Sequence, residues 1–168
     1  FLNKEALEKG ANRPAVPDQR VRKLGVLGAG MMGAGIAHVS AQAGIEVVLI
    51  DATQEAADRG KAHSADILDK GMKRGRVTAE KKAEVLSRIT ATTDYAALAG
   101  ADLVVEAVFE DPSVKAGVTR SAEAVIGPDA VFATNTSTLP ISDLARASVR
   151  PDHFIGIHFF SPVDKMML

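Results

Sequence analysis

The apolar run LGVLG at 24–28 passes without a break into GAGMMG, Gly28 to Gly33, and the chain continues from there in a helical pattern. A strand that ends in a glycine-rich bend and opens straight into a helix constrains the fold more than any other stretch. Gly28 permits the tight turn, Gly30 lets backbone approach a ligand with no Cβ in the way, and Gly33 allows the helix to lie close on the strand. The unpaired N–H groups of the helix N-terminus and its dipole favour negative charge at the same spot. Glycine turns are common in α/β domains, so the weight of this one depends on the chain beyond it.

Beyond the turn, strand-length apolar runs alternate with longer helical patterns. The expected strands are 24–28, 47–51, 89–93, 103–108, 131–135 and 154–159, and the expected helices are 31–43, 53–74, 79–87, 112–125 and 140–147. Several strands are apolar throughout rather than alternating, as they are when helices cover both faces of a parallel sheet. The expected fold is α/β: a Rossmann-type, doubly wound, mostly parallel sheet with helices on both faces, over residues 21–168. Residues 1–20 read as a helix end over 1–9 followed by a Gly- and Pro-containing linker from a preceding domain; a frayed terminus is the plainer alternative. The chain opens on Phe1 rather than Met and stops at Leu168 directly after an apolar stretch, which leads us to expect a piece of something longer.

Asp51 closes the second expected strand at close to the ~20-residue distance from the glycine turn at which an acidic side chain meets the adenosine ribose hydroxyls of a dinucleotide. A carboxylate there repels a 2′-phosphate, and Ala52, Thr53 and Gln54 offer no cation to offset it. The cofactor expected is therefore NAD rather than NADP. The competing reading of Asp51 is a cap for the helix that begins near Thr53.

Composition removes other classes. A net charge of −1 leaves no basic excess for nucleic acid. With no cysteine there is neither a disulfide framework nor a thiolate metal site, and no metal is expected. No apolar run reaches the ~18–20 residues of a membrane span and no signal peptide opens the chain, so an intracellular, soluble protein is expected.

Residues just beyond the C-terminal ends of parallel strands face the ligand crevice of such a sheet. That places Val108, Phe109, Glu110 and Lys115 where a nicotinamide ribose would pass. By composition alone Phe109 also reads as core and Glu110 as a helix-start charge. The fifth strand ends in NTST, Asn135 to Thr138, which serves equally to cap a helix or to orient a substrate. The sixth carries His158 in GIHFFSP. A neutral imidazole suits removal of an alcohol proton, yet a histidine among Ile157, Phe159 and Phe160 also reads as packed core. His38, His63 and His153 are weaker candidates. The tip KGMKRGR, with Lys70, Lys73, Arg74 and Arg76, reads first as a solvated face.

With GAGMMGAGIA, LIDA, DLVVEAVFED, FATNTST and IGIHFFSPVDKM in that order, residues 20–168 resemble the NAD-binding domain of L-3-hydroxyacyl-CoA dehydrogenases, most closely that of multifunctional fatty-acid oxidation enzymes with a preceding enoyl-CoA hydratase domain. The NTS and HFFSP segments carry the resemblance more specifically than the glycine turn. It implies oxidation of a (3S)-3-hydroxyacyl-CoA to the 3-ketoacyl-CoA in β-oxidation. His158 would be the base, with Ser137 and Asn135 at substrate or nicotinamide. Gly28, Gly30, Met32, Gly33, Asp51, Val108, Phe109, Glu110, Lys115 and Ser161 would surround the cofactor. It further implies an acyl-CoA substrate, a homo-oligomer, a thiolase subunit as partner, and contact of the basic tip with CoA. The bacterial cytoplasm is the expected compartment, with mitochondrion and peroxisome as alternatives. The family sets a Glu beside the histidine, expected shortly after Leu168, and Asp164 does not take over that role. The family's C-terminal helical domain is expected beyond it too, so this chain alone should bind NAD weakly and turn over substrate poorly or not at all. A non-catalytic NAD(H)-binding or assembly module is the competing function.

Overall fold

The structure, a computed structural model, describes residues 19–166 and, before them, Glu5, Ala6, Gly10, Pro14, Ala15 and Pro17. The expected helix end and linker therefore fall largely outside the described residues. Among the described residues six strands form one sheet: β1 (Lys23–Leu27), β2 (Glu46–Ile50), β3 (Ile89–Thr92), β4 (Leu103–Glu106), β5 (Val131–Thr134) and β6 (Phe154–Gly156). Their order is β3-β2-β1-β4-β5-β6 and every pairing is parallel. The helices are α1 (Met31–Gln42), α2 (Gln54–Lys73), α3 (Ala79–Ser87), α4 (Pro112–Glu123) and the short α5 (Ile141–Ala145). This is the doubly wound Rossmann-type fold, and the order reverses between β1 and β4, the switch point where ligands of open α/β sheets bind.

Successive residues of each strand go to opposite sides, which is why the middle of β2 and β4, Val47–Ile50 and Leu103–Val105, is apolar at every position. Val47, Leu49, Val105 and Ala133 join Ile36, Ala37 and Ala41 of α1, Leu68 of α2 and Val85 of α3 in one core cluster. Val48, Ile50, Val104 and Phe132 join Leu98, Ala122 and Ile126 in the other. Phe132 and Phe154 stack with ring centroids 5.4 Å apart, fastening β6 to β5.

Side-chain caps start three of the helices. Thr53 Oγ1 accepts from the Ala56 amide at 3.2 Å, Thr78 Oγ1 from Lys81 at 3.1 Å, and Asp111 Oδ1 from Ser113 and Val114 at 2.8 and 3.0 Å. Helix α1 differs: Gly30 stands at its N-cap and no side chain caps it. The close approach of α1 to β1 is imposed by Gly33, where a Cβ would collide with the carbonyl oxygen of Gly28. Because the obstacle is backbone, Gly33→Ala is expected to destabilise the fold by at least the ~1–3 kcal/mol usual for overpacking. Chemical denaturation measures this; a variant as stable as the parent would mean that α1 does not lie on the turn as described.

Each strand ends a little earlier than its apolar run suggests, and the difference is largest for β6, expected through 159 and ending at Gly156. Gly28, Asp51, Ala107, Asn135 and His158 thus lie just past the ladders. Of these, Gly28, Asp51 and Ala107 line the crevice at the switch point.

Candidate active site

Gly28 has φ +93°, a left-handed conformation that favours glycine, and a Cβ there would come within 2.6 Å of the Ala107 carbonyl oxygen. At Gly30 a Cβ would meet nothing within 4 Å, so a side chain would project into open crevice. The crevice, about 640 Å³, is lined by Gly28, Gly30, Met31, Met32, Asp51, Tyr95, Val108, Phe109 and Val114 among others. It brings together the uncapped N-terminus of α1, the acidic end of β2 and the loop after β4. A larger cleft of about 750 Å³ opens at the opposite, N-terminal edge of the sheet, around Arg22, Asp102 and Asp129, and holds none of the expected site residues.

Asp51 does not cap α2, since Thr53 does. Its Oδ2 accepts from the Ala29 amide and its Oδ1 from the Ala52 amide, both at 2.7 Å, so one carboxylate ties the end of β2 to the glycine turn. Each oxygen retains lone-pair capacity for a ribose hydroxyl. Tyr95 lies in the same crevice, and burial, followed by the Asp51 charge, pushes its phenol up. It therefore stays a neutral hydrogen-bond donor at ordinary pH. These features fit NAD: α1 amides for the pyrophosphate, Asp51 for the adenosine ribose, and Val108 and Phe109 along the path toward the nicotinamide.

Phe109 is not core. It is 81% exposed and lines the crevice. Glu110 caps nothing, because Asp111 caps α4. Instead Glu110 gathers the NTST loop: its Oε1 accepts from the hydroxyl of Thr136, the amides of Ser137 and Thr138 at 3.0 and 3.1 Å, and the Thr138 hydroxyl at 3.2 Å. Its Oε2 pairs with Lys115 Nζ at 3.2 Å. Burial disfavours the charge, but the Thr136 hydroxyl, the two amides and Lys115 together outweigh it and hold the carboxyl at about 2. The folded pKa is depressed, so this group stabilises the fold above the ordinary value of 4.5 and loses that contribution as pH falls toward 2. Thermal melts of Glu110→Gln should accordingly show a flatter loss of stability over that window than the parent; an identical acid profile would contradict the network.

Lys115, expected beside the cofactor, is 2% exposed and lies under the loops rather than lining the crevice. Its Nζ donates to Glu106 Oε1 at 2.7 Å, and Glu106 also accepts from the Val108 amide at 2.9 Å and the Thr134 hydroxyl at 2.7 Å. Sequence reasoning alone misses Glu106, Thr134 and Tyr95. The available signal was a single ionisable residue inside the apolar run LVVEAV, which demands a buried partner.

His158 is exposed, which removes the packed-core reading, and its ring meets Phe160 edge-on at 4.9 Å. The segment carrying it crosses α1. A Cβ at Gly35 would press on Val163, and the Ser161 hydroxyl lies 3.9 Å from Met31 Sδ at the start of that helix. Asn135 Oδ1 accepts from the Phe159 amide at 2.9 Å. Ser137 is exposed, with its amide held by Glu110 and its hydroxyl outside that network. Farther along the same segment Asp164 and Lys165 join His38, His63, Lys70, Arg74 and Arg76 around a separate cavity of about 580 Å³. Burial, only partly countered by Asp164, lowers the His38 pKa, so His38 is neutral there at pH 7.

A parallel sheet in this order, with an uncapped glycine turn at its switch point and a carboxylate closing the neighbouring strand, defines a dinucleotide-binding domain of the Rossmann type. The chain belongs to the 3-hydroxyacyl-CoA dehydrogenase NAD-binding domain family, which matches residues 23–168, and NAD is its cofactor. Among solved structures, (S)-3-hydroxybutyryl-CoA dehydrogenase from Ralstonia eutropha is 38% identical with a TM-score of 0.85, covering 89% of this chain and 53% of that one. The Escherichia coli 3-hydroxybutyryl-CoA dehydrogenase is 38% identical with a TM-score of 0.84, over 88% of this chain and 31% of the other. The dehydrogenase part of multifunctional enzyme 1 from Caenorhabditis elegans is 26% identical with a TM-score of 0.78, over 90% and 35%. The chain thus spans about half, or less, of the proteins it matches.

Proposed function

We propose that this domain is the cofactor half of an enzyme that oxidises (3S)-3-hydroxyacyl-CoA to 3-ketoacyl-CoA in fatty-acid β-oxidation. The observation that carries the reading is an exposed imidazole, His158, just past β6 on a segment laid over the glycine-turn helix. NAD⁺, when bound, supplies the hydride acceptor. His158 takes the proton of the C3 hydroxyl as the C3–H hydride departs and the C3–O bond becomes a carbonyl. Ser137, presented by the Glu110-bound loop, orients the substrate oxygen. The basic tip at Lys70, Arg74 and Arg76 faces the anionic CoA moiety.

Support comes from the family, from relatives whose substrates are 3-hydroxybutyryl-CoA, and from one that is the dehydrogenase part of a multifunctional enzyme. The test is NADH consumption by the full-length protein with acetoacetyl-CoA. Turnover with the CoA ester, none with free acetoacetate and a strong preference over NADPH are expected. NADH binding without turnover of any acyl-CoA would replace this reading with that of a non-catalytic nucleotide-binding module.

A further inference from the structure

The β5·β6 ladder stops at Thr134 and Gly156, yet His158 is held two residues farther on. Two amides flank it. That of Ile157 donates to the Thr134 carbonyl at 3.0 Å and continues the parallel pattern by one rung. In a regular ladder the next rung would run from the Phe159 amide to the Thr136 carbonyl. Here the chain at 136–138 has turned away to wrap the Glu110 carboxylate, and Asn135 Oδ1 takes the Phe159 amide at 2.9 Å instead. The Asn135 backbone is itself fixed, its amide donating to the Glu106 carbonyl at 2.8 Å. The backbone is therefore clamped on both sides of His158: once by the main chain of β5 at Thr134, once by the side chain of Asn135 just past it.

We propose that Asn135 is a positioning residue for His158, acting through the Phe159 amide, rather than a contact for substrate or nicotinamide. Aspartate keeps an acceptor at the same reach. Leucine keeps the size and loses the acceptor. Serine is one bond too short. The catalytic meaning of the clamp rests on the dehydrogenase reading above, whereas its structural content does not.

Two measurements separate these. In the full-length enzyme, Asn135→Leu should lower kcat by about 10–100-fold, the usual effect of misplacing a catalytic group by a fraction of an ångström to an ångström, with the KM values for cofactor and acyl-CoA unchanged. Asn135→Asp should recover most of the lost kcat. By amide hydrogen exchange, Phe159 should lose protection in Asn135→Leu and keep it in Asn135→Asp; Asn135→Ser serves as the short variant should leucine prevent folding. Raised KM with intact kcat, or unchanged Phe159 protection in the leucine and serine variants, overturns the proposal. If the wild-type enzyme shows no turnover the dehydrogenase reading fails, while the exchange experiment still decides whether the clamp exists.

Discussion

Replacing His158 with glutamine is expected to lower turnover of 3-hydroxyacyl-CoA by about 10²–10⁴-fold, the usual contribution of a general base, and to leave NAD affinity unchanged. The split arises from where the residue stands. His158 is exposed on the segment past β6 and does not line the crevice built by the glycine turn, Asp51 and the loop after β4. Its ring supports no core cluster, so stability should hold as well. Steady-state rates and an NADH binding isotherm on the same preparation test both halves. A variant with normal kcat would remove His158 from the chemistry, and one with lost NADH binding would mean that the segment serves the cofactor instead.

The second large effect is on folding. Lys115→Met should destabilise the domain by about 3–5 kcal/mol, the range for removing one partner of a buried ion pair, or roughly 6–20 °C in Tm for a domain of this size. Glu106 is 1% exposed and draws on Lys115, the Val108 amide and the Thr134 hydroxyl together. Without the ammonium it is an uncompensated buried charge, and Glu110 loses its cation too. The double variant Glu106→Gln with Lys115→Met should regain much of the loss, because the cost lies in the orphaned charge rather than in the missing attraction. Equal melting temperatures for Lys115→Met and the parent would show that the pair is not buried as described.

The alternation of strands and helices was readable because both faces of this sheet are covered. The runs around Val47–Ile50 and Leu103–Val105 are apolar at every position, and β-propensity and burial agree there. Asp51 was readable as a site residue for a similar reason: its meaning depends on its distance along the chain from Gly28. Ambiguity entered wherever meaning depends on a partner across space. A histidine among aromatics has the same local sequence whether buried or exposed, and only the course of the segment over Gly35 and Met31 decides the case of His158. Glu110 looked like a helix-start charge, and nothing local says that its acceptors go to a loop some 26 residues later. Likewise Phe109 looked like core because hydrophobicity does not reveal which side of a strand end faces a crevice. The basic tip, by contrast, was visible as charge, and its place beside His38, His63 and Asp164 was not.

The central claim is spatial: the uncapped start of α1 and the Asp51 carboxylate hold one adenosine diphosphate between them. Titration of the isotope-labelled chain with NAD⁺, monitored amide by amide, tests it most directly. Saturable shifts concentrated at Ala29–Gly33 and at Asp51–Ala52, much reduced with NADP⁺ and in Asp51→Ala, are expected. Shifts centred on the cleft at the N-terminal edge of the sheet, or an equal response to NADP⁺, would contradict it.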